Sequence, residues 1–225
     1  MMKPPLEILF SPTTGIELIY SFVIIVCSLM IYHSTKEAYK LSSYKGLKYF
    51  RQAFLFFAIA YLFRSSIKIL LMFFDAKRII DVSPMGVGIV SLFVFLYFSS
   101  MAVFYLVYSI MWKKWESQKM KGYIFNGIAL IIAFIGAFFI NINLLIMLNL
   151  GVLAFASFAL SSIYKKSKKK RSLFVTYVLL FLFWILNVIE IIIPDFLQSV
   201  QLGIYLISIS LFMVILYKVL KTIGN

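Results

Sequence analysis

The chain has 225 residues, of which 63% are apolar, 18% aromatic and only 13% charged, with a mean hydropathy of +1.01. A soluble globular domain is close to half apolar and a quarter charged, so water is not the solvent for which this sequence is written. A formal charge of +14 would suit a nucleic-acid binder. However, at roughly 20 apolar residues per crossing, about seven membrane helices take up the whole length and leave no room for a soluble domain.

The opening MMKPPLEILFSPTTG carries Pro4, Pro5 and Pro12. No small-residue cleavage pattern follows it, so the first helix is expected to stay in the mature protein. That helix is placed at about 14–33, where Thr14-Gly15-Ile16-Glu17 reads as a capping box, the glutamate returning to the N-cap amide. Cys27 lies alone in an apolar run, which excludes an intrachain disulfide and a cysteine-clustered metal site. His33 reads as an interfacial residue. Ser34 to Phe50 reads as the longest polar loop.

The second helix is expected over 51–74 and the third over 84–112, with Ser83-Pro84 as N-cap and first helical residue. A fourth follows at 122–140 and a fifth at 143–163, joined by a tight polar hairpin at Asn141-Ile142-Asn143. The small residues Gly151, Ala154, Ser157 and Ser161 suggest a close-packing stripe on the fifth. Pro194-Asp195 separates a sixth helix at 172–193 from a seventh at 196–220. The expected fold is therefore all-α, one seven-helix transmembrane domain over residues 1–225.

The basic residues fix an expected orientation. Seventeen of the 22 Lys and Arg follow helices 1, 3, 5 and 7, among them Lys36, Lys40, Lys45 and Lys48, then Lys113 and Lys114, the run Lys165–Arg171, and Lys218 and Lys221. Only Lys3, Lys77 and Arg78 lie on the other side. Cationic short loops stay cytoplasmic, so the N-terminus is expected outside and the C-terminus inside, in the cell membrane. Trp112 and Trp115 would anchor the inner interface. The charge of +14 thus lies along one membrane face, which argues against nucleic acid as a partner. Lys165, Lys166, Lys168, Lys169, Lys170 and Arg171 are candidates for contact with anionic lipid headgroups.

An internal repeat would lay helix 2 on helix 6 at a shift of 120 residues. Arg51, Phe54, Leu62, Phe63, Ile69 and Asp75 then meet Arg171, Phe174, Leu182, Phe183, Ile189 and Asp195. Such a composition produces a few of these matches by chance, so a parallel repeat stays an open expectation.

Charges inside the apolar core are unfavourable and need an explanation. On helix 2, Arg64 and Lys68 are four residues apart on one face, with Tyr61 completing the stripe. At 1.5 Å per residue from Asp75, Lys68 sits about 10 Å deep and Arg64 about 16 Å, near mid-membrane. Acidic Glu190 and Glu17 lie in the same half, with Asn187 on the face of Glu190. The expected pairing joins Lys68 to Glu190 or Glu17, and Arg64 to Asn187 and Tyr61.

Among function classes, an enzyme is the least supported. One histidine, one cysteine and no carboxylate deep in a helix supply neither an activated nucleophile with its base nor a ligand set. The chain implies no metal and no cofactor, and Lys218 at the end of the last helix is not a buried Schiff-base lysine. The preferred reading is a non-enzymatic receptor or sensor with an outward-facing polar pocket for an anionic or amphiphilic ligand, signalling to a protein partner at its cytoplasmic loops. A small transporter or channel for an anionic or polar solute is the competitor, and a membrane scaffold or assembly subunit the third reading.

Overall fold

The computed structural model describes residues 12–77, 84–115, 121–139, 141–164, 171–193 and 198–223, and in it the apolar runs form seven α-helices. These are α1 (Pro12–Ser42), α2 (Lys45–Lys77), α3 (Pro84–Trp115), α4 (Lys121–Phe138), α5 (Ile142–Tyr164), α6 (Arg171–Ile192) and α7 (Gln198–Ile223). Ser83 and the Pro194-Asp195 break lie outside the described residues, as do Lys165, Lys166, Lys168, Lys169, Lys170 and the side chain of Arg171.

Five helices contain a stretch long and apolar enough to cross a membrane: Gly15–Ser42, Gly88–Lys113, Ile142–Ser161, Phe174–Ile192 and Ser199–Thr222. Gly122–Phe138 in α4 is apolar but shorter. Large apolar side chains also cover outward faces, among them Phe22, Phe134, Phe158 and Met147, which is 72% exposed. Helices apolar on their outer as well as their inner faces belong in lipid or in a large core, which makes this a multi-pass, membrane-like helical protein.

The expected long loop over Ser34–Phe50 is corrected to a two-residue turn. Lys, Glu, Ala and Leu in this stretch are good helix formers, so α1 continues to Ser42 and α2 begins at Lys45. A hydropathy pattern ends where the apolar run ends, whereas the backbone hydrogen bonding does not. At the turn Ser43 takes a left-handed φ of 51°. Its N–H donates to the Tyr39 carbonyl at 2.8 Å, while Ser42 Oγ donates to Ala38 O at 2.7 Å, so the end of α1 is capped. The α4–α5 hairpin is capped as its sequence suggests, with Asn141 Oδ1 accepting from Asn143 N at 2.9 Å and from Leu144 N at 3.4 Å.

Packing neighbours close a ring in the order α1, α2, α3, α5, α6, α7 and back to α1, with α4 lying against α3. The seam inside the ring is aromatic. Phe50, Phe54, Phe57 and Tyr61 recur every third or fourth residue along α2 and are all buried. They meet Tyr177, Phe183 and Trp184 of α6 and Phe212 of α7, with ring centroids 5.8 to 6.4 Å apart. Because Phe50 faces Tyr177, Phe57 faces Phe183 and Arg64 faces Glu190, α2 and α6 run parallel.

The small-residue stripe is also corrected. Gly151, Ala154 and Ser161 on α5 are exposed, and a Cβ at Gly151 would meet nothing within 4 Å. Close approach occurs instead on α4, where Ala129, Ala133 and Ala137 are fully buried. A Cβ at Gly136 would come within 2.6 Å of Leu96 Cδ1. Small size permits approach from any side, and which stripe is used depends on where the large side chains of α5, such as Val152 and Phe155, find a partner.

Candidate functional site

The α2 stripe ends in a charge. One turn beyond Tyr61, Arg64 enters the ring between α1 and α6, its side chain 19% exposed. Its Nε and Nη2 donate to Glu17 Oε1 at 3.3 and 3.1 Å. Its Nη1 reaches Glu190 Oε2 at 3.4 Å, and Nη2 also donates to Glu190 Oε1. The guanidinium thus bridges two carboxylates, each 11% exposed, and lies over the rings of Tyr61 and Phe95 at 5.9 and 5.7 Å.

A second layer extends the cluster inward. Tyr205 on α7 donates its hydroxyl to Glu190 Oε1 at 2.9 Å. Tyr61 donates to Asn187 Oδ1 at 2.6 Å, and Tyr20 on α1 meets the Tyr61 hydroxyl at 2.8 Å and Asn187 Oδ1 at 3.4 Å. Asn187 Nδ2 is satisfied by the Phe183 carbonyl at 2.9 Å. Four helices therefore contribute to one buried network, whose members hold each other in place.

The sequence-derived residues Glu17, Tyr61, Arg64, Asn187 and Glu190 come together, but with a different pairing. Arg64 takes both carboxylates, and Asn187 binds the tyrosines rather than Arg64. The side chain of Lys68 lies outside the described residues. The capping-box reading of Glu17 is corrected too, because α1 begins at Pro12, which places Thr14 inside the helix and leaves Glu17 to reach Arg64. Tyr20 and Tyr205 were not picked out from the sequence. Tyr20 was findable, being one turn from Glu17 on the same face; Tyr205 carries no such signal.

A cavity of about 420 Å³ opens beside the cluster, between α2, α3, α5 and α6. Glu17, Arg64, Asn187 and Glu190 line its polar end, and Phe57, Phe95, Leu96 and Trp184 its apolar walls. Ser91, Ser99 and Asn149 add polar groups. The Trp184 indole N–H is buried without a hydrogen-bond acceptor. Since Arg64 already directs its donors at two carboxylates, an anion would have to displace one of them. The arrangement therefore suits a polar or amphiphilic molecule with an apolar body better than an anion.

No family model matches the chain, and no solved structure matches it. It is 30% identical over 225 residues to an uncharacterised protein of Archaeoglobus fulgidus, an alignment that covers 97% of this chain and 95% of that protein.

Proposed function

Taking as its premise that the chain belongs to one family with the uncharacterised protein of Archaeoglobus fulgidus, we propose a non-enzymatic, receptor- or sensor-like bundle that crosses the cell membrane seven times, N-terminus outside and C-terminus inside. The observation that carries the reading is the cavity of about 420 Å³, with aromatic walls, one polar end and an indole N–H lacking an acceptor. Pockets of this size and make-up hold small molecules. The ligand class is a neutral or amphiphilic molecule with an apolar body and a hydrogen-bonding head. The bias of basic residues supports the orientation. The pairing of Arg64 inside the ring supports α2 as a span, since the charge needs no contact with lipid.

The test is thermal stability of the purified protein against amphiphiles, sterols, sugars and amino acids, in wild type and Ser91→Phe. Ser91 is buried and lines the cavity, so phenylalanine fills it. A compound that raises the wild-type melting temperature and leaves the filled variant unchanged supports the reading; no stabilising compound, or equal shifts in both, refutes it. A tag before Met1 should be cleaved from outside intact cells and one after Asn225 protected.

A transporter is the second reading, favoured by the ring order. Helices α1–α3 and α5–α7 fill corresponding halves of the ring while α4 stands outside it, as a linker between parallel repeats would. Uptake of the stabilising compound into proteoliposomes separates the two.

A further inference from the structure

At the opposite end of the bundle, where α1 and α3 finish and α2 and α4 begin, lies a second cavity of about 410 Å³. We propose that it is a binding site for a phosphate group, carried either by a membrane lipid or by a soluble phosphorylated molecule. It is independent of the outer cavity and of any ligand there.

The lining has one electrostatic sign. Lys45 and Lys48 stand three residues apart in the first turn of α2 and both face the cavity, and among the described residues none that lines it is acidic. The helices α2 and α4 both start at this end, at Lys45 and Lys121, and Lys45 and Gly122 line the cavity, so the partial positive charge of two N-termini lies beside it. The C-termini of α1 and α3 also finish at this end, and on α1 the carbonyls of Ala38 and Tyr39 are engaged by Ser42 Oγ and the Ser43 N–H.

The remaining walls are donors and aromatic edges. Tyr49, Tyr105, Tyr108 and Trp112 line the cavity, with Tyr49 and Tyr108 edge to face at 4.3 Å. The Trp112 indole N–H is buried and has no hydrogen-bond partner. A tetrahedral anion with several oxygens matches two ammonium groups, an indole N–H and phenol hydroxyls better than a two-oxygen carboxylate does.

The close approach that shapes this site is built into the backbone. A Cβ at Gly46 would lie 2.9 Å from the Ser109 carbonyl oxygen and 2.9 Å from Trp112 Cδ1, so only glycine lets the start of α2 press against Trp112. Lys45 beside it and Lys48 farther along the same turn line the cavity with that aromatic wall.

The test uses the full chain in maltoside micelles, which contain no phosphate, with unfolding followed by reaction of a thiol dye at Cys27. One arm titrates pyrophosphate at constant ionic strength; the other adds dioleoyl phosphatidic acid, with dioleoylglycerol as control. Three variants are compared with wild type: Lys45→Gln with Lys48→Gln, Lys218→Gln with Lys221→Gln as a charge-matched change at the end of α7, and Trp112→Phe. With each lysine worth about a fivefold change, the first raises the half-effect concentration roughly 25-fold. Trp112→Phe raises it about fivefold, and the α7 pair less than about twofold. Stabilisation by pyrophosphate assigns the site to a soluble ligand, and stabilisation by phosphatidic acid alone assigns it to a lipid. No stabilisation in either arm, or equal losses in the two double-lysine variants, overturns the proposal.

Discussion

Arg64→Leu removes the cation from between Glu17 and Glu190, whose side chains are each 11% exposed. Four N–H···O contacts vanish, and two carboxylates are left facing each other, with Tyr205 still donating to Glu190. Removing one partner of a buried ion pair costs about 3–5 kcal/mol, because the partner stays desolvated. For a chain of this size about 1 kcal/mol moves the melting temperature by 2–4 °C, so the single variant should melt roughly 6–20 °C earlier. Arg64→Leu with Glu190→Leu still leaves Glu17 without its guanidinium contacts and should recover only part of this. The triple variant, with Glu17→Leu as well, removes every charge of the bridge and should equal or exceed wild type by up to about 4 kcal/mol. The assay is reaction of a thiol dye with Cys27, the sole cysteine, which is 2% exposed and becomes reactive on unfolding. A single variant melting within about 2 °C of wild type, or a triple variant no better than the single, would refute the view that the three charges form one buried unit.

Other substitutions test the packing. Gly46→Ala should destabilise by about 1–3 kcal/mol, since its Cβ meets the Ser109 carbonyl oxygen at 2.9 Å and a backbone oxygen cannot swing aside. Gly151→Ala, with nothing within 4 Å, should instead stabilise by about 0.5–1 kcal/mol through helix propensity; melting curves of the pair in one detergent give the comparison. Tyr61→Phe loses the hydroxyl that bonds Asn187 and Tyr20 and should cost about 1–2 kcal/mol, which an unchanged melting temperature would contradict. At Ser43, with φ of 51°, glycine should be neutral or stabilising and valine should cost about 1–2 kcal/mol, read from the same curves.

Much of the architecture was legible because each helix announces itself locally. Proline at position 84 and asparagine at 141 mark starts that the backbone adopts, and five apolar runs carry enough hydropathy to be recognised without neighbours. The loop over Ser34–Phe50 was misread because hydropathy reports the solvent of a segment rather than its hydrogen bonding, and polar residues such as Lys36, Glu37 and Lys40 continue a helix as well as apolar ones do.

The candidate site was legible as a membership but not as a set of bonds. Charged and amide side chains are costly enough to bury among apolar ones that Arg64, Glu17, Glu190 and Asn187 stand out in this sequence. Which acid meets which base depends on angstrom-scale positions of three helices around a ring, and nothing along the chain encodes that Arg64 lies between α1 and α6. Tyr20 and Tyr205 escaped notice because tyrosine is ordinary in such a sequence, and only the closing of α1 against α7 brings both rings to within 5.0 Å. The stripe on α5 failed for a related reason, since small size makes approach possible from either side and the larger residues decide which side is used. Composition and periodicity, being sums over neighbours in the chain, determined the solvent, the helices and the short list of costly charges. Tertiary structure alone decided the pairing of those charges and the shapes of the two cavities, because both are properties of distances between helices, and Arg64 lies 47 and 126 residues in sequence from the acids it pairs with.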